Sequence, residues 1–148
     1  MSFTGTNPVS VGDATQKTHY DAIFDNTIYL RDFYKPLISR ITSTGNQTAI
    51  ALPTGALGYA TIVCNNASTL TIQGIAAGAA GQPVVVRAIN STVVLAHENG
   101  SATAANRLTL PGNGALTLKS GHAAILVYDD TATRWVCVGA IQPWAEFD

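Results

Sequence analysis

Charge is the commodity this sequence has least of. Asp, Glu, Lys and Arg make up only 11% of its 148 residues, less than half the usual share of about 25%. Net charge is −1, which supplies neither a basic footprint for nucleic acid nor an acidic tail. No run approaches the ~18 consecutive apolar residues that a spanning helix needs. The opening "MSFTGTNPVSVGDATQ" lacks the basic start and apolar stretch of a signal peptide, so the expectation is a protein made in the cytosol.

Chemistry-bearing patterns are equally scarce. The two cysteines, Cys64 and Cys137, sit inside "ATIVC" and "WVCVG", where they read as small buried hydrophobes of a reducing compartment. His19, His97 and His122 have no H-x-H or H-x-x-x-H spacing, and there is no C-x-x-C, so no metal site is expected. No G-x-S-x-G is present. "PGNG" and "GAAGQP" lack the lysine and following helix of a phosphate cradle. His97-Glu98 with Asp129-Asp130 forms an acid/base set only on paper; a solvated loop and a turn explain them more simply. The expectation is a protein that is not an enzyme and has no cofactor. Sequons at Asn46, Asn66, Asn90 and Asn99 read as by-products of a chain rich in Asn, Ser and Thr.

What is present divides the chain. Residues 13–41 hold four basic and four acidic side chains, whereas 42–97 hold one charge, Arg87. Residues 1–12 are polar and punctuated by Gly and Pro, which predicts a flexible arm. Residues 13–41 read as a helical segment, with Asp13 as N-cap and Gln16 three residues on. In a heptad frame Tyr20, Thr27, Tyr34 and Ile41 share one core position, and Ile23, Leu30 and Leu37 the other. Pro36 removes a backbone donor and predicts a break near Asp32–Lys35. Two readings of this stripe stand side by side: a helix packed on its own β-domain, or one that meets copies of itself in a trimeric coiled coil.

Residues 42–148 read as a β-domain. Strands are expected at Thr48–Leu52, Tyr59–Cys64, Thr69–Ile75, Pro83–Ile89, Thr92–His97, Arg107–Leu110, Ala115–Lys119, Ala123–Tyr128 and Arg134–Ala140. Regular short strands separated by turn residues predict an antiparallel β-sandwich or barrel-like domain. "LTLPGNGALTL", two L-T-L arms about a Gly-rich turn, predicts a hairpin, and "VYDDTATRWVCV" a second. "PVVVRAI", "TVVLAH" and "AAILVY" are apolar on both faces. Two-sided burial together with depleted charge predicts a subunit interface. Arg134-Trp135 is a candidate glycan contact, since an indole face stacks on a sugar; a core Trp with a snorkelling neighbour is the plainer account.

From Leu70 to Gly139 the chain resembles a C-terminal module of tailed-bacteriophage fibre and virion-surface proteins. The likeness rests on Ile72, Gly74, Ile75, Gly78, Gly81, Gln82 and Val84, then Leu95, His97, Glu98, Ser101, Asn106 and Arg107, and a closing Tyr128, Asp129, Arg134 and Trp135. The opening "NPVSVGDATQKTHYDAIFDNTIYLRDF" resembles short helical openings of fibre proteins more loosely. The resemblance implies a trimeric β-domain located in the virion. Its partners would be two further copies, other virion proteins and, in a receptor-reading tip, a host-surface glycan. The expected function is therefore a homotrimeric fibre or capsid-decoration subunit, with a carbohydrate-binding module as the alternative. Residues 1–12 with the helix are the expected particle-facing end; "IQPWAEFD" is the rival anchor.

Overall fold

In the computed structural model, residues 37–53 and 59–141 are described. They belong to the compact unit Pro36–Asp148. The strands are β1 (Leu37–Ile41), β2 (Gly45–Gln47), β3 (Ala60–Cys64), β4 (Leu70–Ile72), β5 (Pro83–Ala88), β6 (Val93–Leu95), β7 (Leu108–Thr109), β8 (Leu116–Leu118), β9 (Ala123–Asp129) and β10 (Arg134–Ile141). The domain is mainly β, as its β-branched runs predict.

Eight of the nine expected strands form, as β3 to β10; the expected strand at Thr48–Leu52 is reduced to a single bridge from Ile50 to Ile75, and β1 and β2 stand where no strand is expected. The pairing differs more. The chain alternates between two sheets, ordered β1-β3-β5-β9-β10-β7 and β2-β4-β6-β8. β1, β3 and β5 pair in parallel, as do β2, β4 and β6. Register partners lie 23 to 25 positions apart: Leu37 opposite Ala60, Ala60 opposite Val84, Gly45 opposite Leu70. Each coil therefore lays one strand in each sheet and stacks on the last. This is a short β-solenoid, and it replaces the expected antiparallel sandwich or barrel. Only the last third turns antiparallel, where β8 closes on β6, and β9 pairs with β5 and β10.

Two local expectations change with it. Leu37 and Ile41, placed in the heptad stripe, lie in β1, whose burial alternates with period two. Five residues, "LISRI", fit either period, and pairing along β3 supplies the backbone partners that decide for a strand. The boundary of the β-domain therefore falls before Leu37 rather than at residue 42. The other stripe residues, Tyr20, Ile23, Thr27, Leu30 and Tyr34, lie outside the described residues, as do the arm 1–12 and the rival anchor after Ile141. "LTLPGNGALTL" is not a hairpin: β7 joins the edge of the six-stranded sheet beside β10, and β8 joins β6 in the other sheet. Its turn is a 3₁₀ corner at Pro111–Asn113, with Gly112 at φ 72° and Asn113 at φ 56°. It carries the chain between sheets. The β9–β10 hairpin forms as expected, Asp129 opposite Arg134.

The core lies between the sheets. Inward positions stack from coil to coil: Ile62, Val84, Val86 and Leu126 from one sheet, Leu70, Ile72, Val93, Leu95 and Leu118 from the other, all buried. One solenoid corner is a polar stack. There the Asn90 amide donates to Asn65 Oδ1, and Ser120 Oγ donates to the carbonyl of Ile89. Asn66, itself buried, donates to the carbonyl of Ser68 at 2.8 Å. The last two bonds satisfy backbone carbonyls that leave the ladder where the chain turns. Both cysteines are free and buried, and burial pushes the Cys64 thiol up to about 11.

Candidate functional site

Residues that carry the sequence motif meet around Trp135, between the loop that follows β4 and the β9–β10 hairpin. Trp135 is the centre. Its pairing with Tyr128 across the β9–β10 hairpin aims it inward, and it is fully buried. The indole Nε1 donates to the carbonyls of Ile75 and Ala76, at 3.2 and 3.1 Å. The Tyr128 ring meets it edge-on, centroids 5.1 Å apart at 66°, a favoured aromatic geometry. Gly78 lies against the ring. A Cβ there would sit 2.8 Å from the indole Cζ2 and Cη2, so only glycine lets the loop close over the tryptophan.

Around this centre, the polar motif residues hold loops. Asn106 Oδ1 accepts from Ala77 N at 3.0 Å, and the Asn106 carbonyl accepts from Ile75 N at 2.9 Å. Gln82 Oε1 accepts from Ala79 N at 2.9 Å. Arg107 Nε donates to the carbonyl of Ala102 at 3.1 Å. Gly74 packs so closely that an added Cβ would collide with the Thr48 carbonyl.

Of the four acid/base candidates, His97, Glu98 and Asp129 are each engaged. His97 Nδ1 accepts the Leu110 N–H at 3.0 Å. Asp129 Oδ1 accepts the N–H groups of Thr131 and Ala132, at 2.9 and 3.0 Å, closing the β9–β10 turn. Glu98, at φ 39°, receives Arg134 Nε at 2.9 Å and the Thr109 hydroxyl at 2.7 Å. Arg134 Nη1 also donates to the Ala104 carbonyl at 2.8 Å. Asp130, the next turn residue, is exposed. His97 and Glu98 are thus fastened to the loop around β7, and Asp129 to its own turn. They do not assemble a general acid facing a general base.

The glycan-contact reading of Arg134 and Trp135 changes accordingly. The indole is enclosed by the hairpin and the Gly78 loop and offers no open face to a sugar. Arg134 is spent on Glu98 and two backbone carbonyls. Among the described residues, no cluster of three or more His, Cys, Asp or Glu side chains has the geometry to hold a metal ion. A cavity of about 320 Å³ opens at the first coil, lined by residues including Ser39, Arg40, Ser43 and Gln47. Among the described residues, its lining holds no histidine, cysteine or carboxylate.

The Glu98 carboxyl follows from these contacts. Partial burial pushes it up, but the Thr109 hydrogen bond and the hydrogen bond and charge of Arg134, with His97 adding, outweigh that and hold it below the ordinary 4.5. A depressed carboxyl stabilises the fold above its unfolded value and loses that contribution as pH falls through its folded value. Thermal melts should therefore show the wild type losing stability below about pH 4.5. Glu98→Gln should be less stable near neutrality and flatter over the acid range. Equal acid slopes for the two would remove Glu98 from the account. The group is partly solvated, so the effect is small.

No family model and no curated protein matches this chain.

Proposed function

We propose that the protein is a bacteriophage virion structural protein, a homotrimeric fibre or capsid-decoration subunit that docks on the particle and displays the β-solenoid. One observation carries the reading: residues by which the sequence resembles phage virion-surface proteins are spent on fastening the loop after β4, the loop before β7 and the β9–β10 hairpin to one another. Gly74, Gly78, Gln82, Asn106, Tyr128 and Trp135 pack or bond to one another's loops, and Glu98 to Arg134. A motif consumed in architecture suits a module selected for shape and rigidity. The sparse charge of residues 42–97 and the exposed Ile38, Val138 and Ile141 of the six-stranded sheet support self-association. Sedimentation equilibrium of the full chain at micromolar concentration should give three times the 15.4 kDa chain mass. A monomer would overturn the trimer. Immunogold labelling should place the protein on the surface of parent particles; absence of label there would overturn the virion assignment.

A further inference from the structure

The six-stranded sheet is open at both sides among the described residues, and the two openings match. On one side β1 is the edge strand. On the other, β7 covers β10 only at Trp135 and Val136, so the remainder of β10, through Ile141, extends past it with no described strand alongside. Of the four exposed large hydrophobics among the described residues, three mark the same places: Ile38 on β1 is 45% exposed, and Val138 and Ile141 on the β10 extension are 62% and 56% exposed; the fourth, Tyr59, precedes β3.

The edges also lie level. Register carries Ile38 across Thr61, Val85 and Ile125 to Gly139, and Arg40 across Val63, Arg87 and Ala123 to Ile141. β9 is antiparallel to both β5 and β10, and β5 is parallel to β3 and β1, so β10 runs in the direction of β1. A rotation axis along the strands preserves that direction. A second copy therefore brings its β1 to the β10 extension at the right height and in parallel, the sense in which β7 already pairs there.

From this the geometry points to a second copy of this chain as the occupant of the edge: the β10 extension, Val138–Ile141, takes β1 of a neighbouring subunit as an added parallel strand. Unpaired strand edges are templates for such addition. Here both halves of the contact belong to one chain. The contact is heterologous, each subunit giving one edge and receiving the other, and such contacts close into rings when the rotation permits. In the homotrimer proposed above, on which this inference rests, three such contacts join the β-domains. The bulge between Cys137 and Gly139 turns the strand just where β7 ends, a device common at sheet edges.

The test uses the full-length chain carrying Ile38→Cys and Gly139→Cys, residues level with each other on the outer face, and a short bis-maleimide. Denaturing gels should show linked dimers and trimers for the double variant and none for either single variant. Co-expressing the two single variants should restore linked species, which keeps the test informative if the double variant folds poorly. A wild-type trimer in the ultracentrifuge without links in the double variant or the mixture overturns the edge pairing and leaves the trimer standing. Links in a single variant would make the contact isologous and also overturn it. A wild-type monomer removes both.

Discussion

Replacing Trp135 with alanine is expected to cost about 3–5 kcal/mol of folding stability, the range for large aromatic truncations in a core. Three contributions combine. The indole is fully buried, its N–H satisfies two loop carbonyls, and the residue that closes directly over it, Gly78, has no side chain to fill the void it leaves. For a domain of this size the melting temperature should fall by more than about 10 °C. Trp135→Phe should lie between, keeping most of the packing while leaving the Ile75 and Ala76 carbonyls without that donor. Urea titration followed by circular dichroism measures both. An unchanged midpoint for the alanine variant would mean that the ring is not part of the core.

Gly74→Ala should be nearly as damaging, although it adds one methyl group. The new Cβ would meet the carbonyl oxygen of Thr48, lie 2.8 Å from Cβ of Ala102 and 3.0 Å from the Asn106 carbonyl. Two of these three neighbours are backbone, which cannot swing aside as a side-chain tip can. Overpacking in a closed site costs about 1–3 kcal/mol and more where backbone must move, so the loss should sit at or above the top of that range. Gly114→Ala is the matched control. Nothing lies within 4 Å of its Cβ and its φ is −124°, so its midpoint should stay within about 0.5 kcal/mol of wild type. Comparable losses at the two positions would point to glycine content rather than crowding.

Both residues could be singled out in the sequence, yet their reasons could not. The burial of Trp135 was legible because Tyr128 and Trp135 flank an aspartate turn as the hairpin's two large aromatics, with Arg134 beside the tryptophan as a neighbour whose charge can reach water. The pairings of Pro83–Ala88 with Ala60–Cys64 were not. A strand's own residues state its faces, but a parallel partner 24 positions away leaves only a weak spaced echo. That echo exists: "TSTGNQ", "NASTLTI" and "NSTVVL" each precede or enter a strand of the smaller sheet. It is blurred because the coils differ in length by a residue or two. Leu108–Leu118 misled for a related reason. Symmetric L-T-L arms about a Gly-rich turn have the same alternation whether they pair with each other or part into two sheets. The engagement of His97, Glu98 and Asp129 by loops was beyond sequence, because each partner is fixed only once the coils stack.

The two buried thiols turn this architecture into a pair of clocks. Cys64 lies on β3, in the parallel stack; Cys137 lies on β10, in the closing hairpin of the same sheet, with β5 and β9 between them. A thiol can be alkylated only while the structure around it is open, so each labelling rate reports the opening free energy of its own neighbourhood. If coils and hairpin open together, the two cysteines should label at rates in constant ratio as denaturant rises. If the hairpin releases first, Cys137 should label early while Cys64 stays protected until the parallel stack itself comes apart.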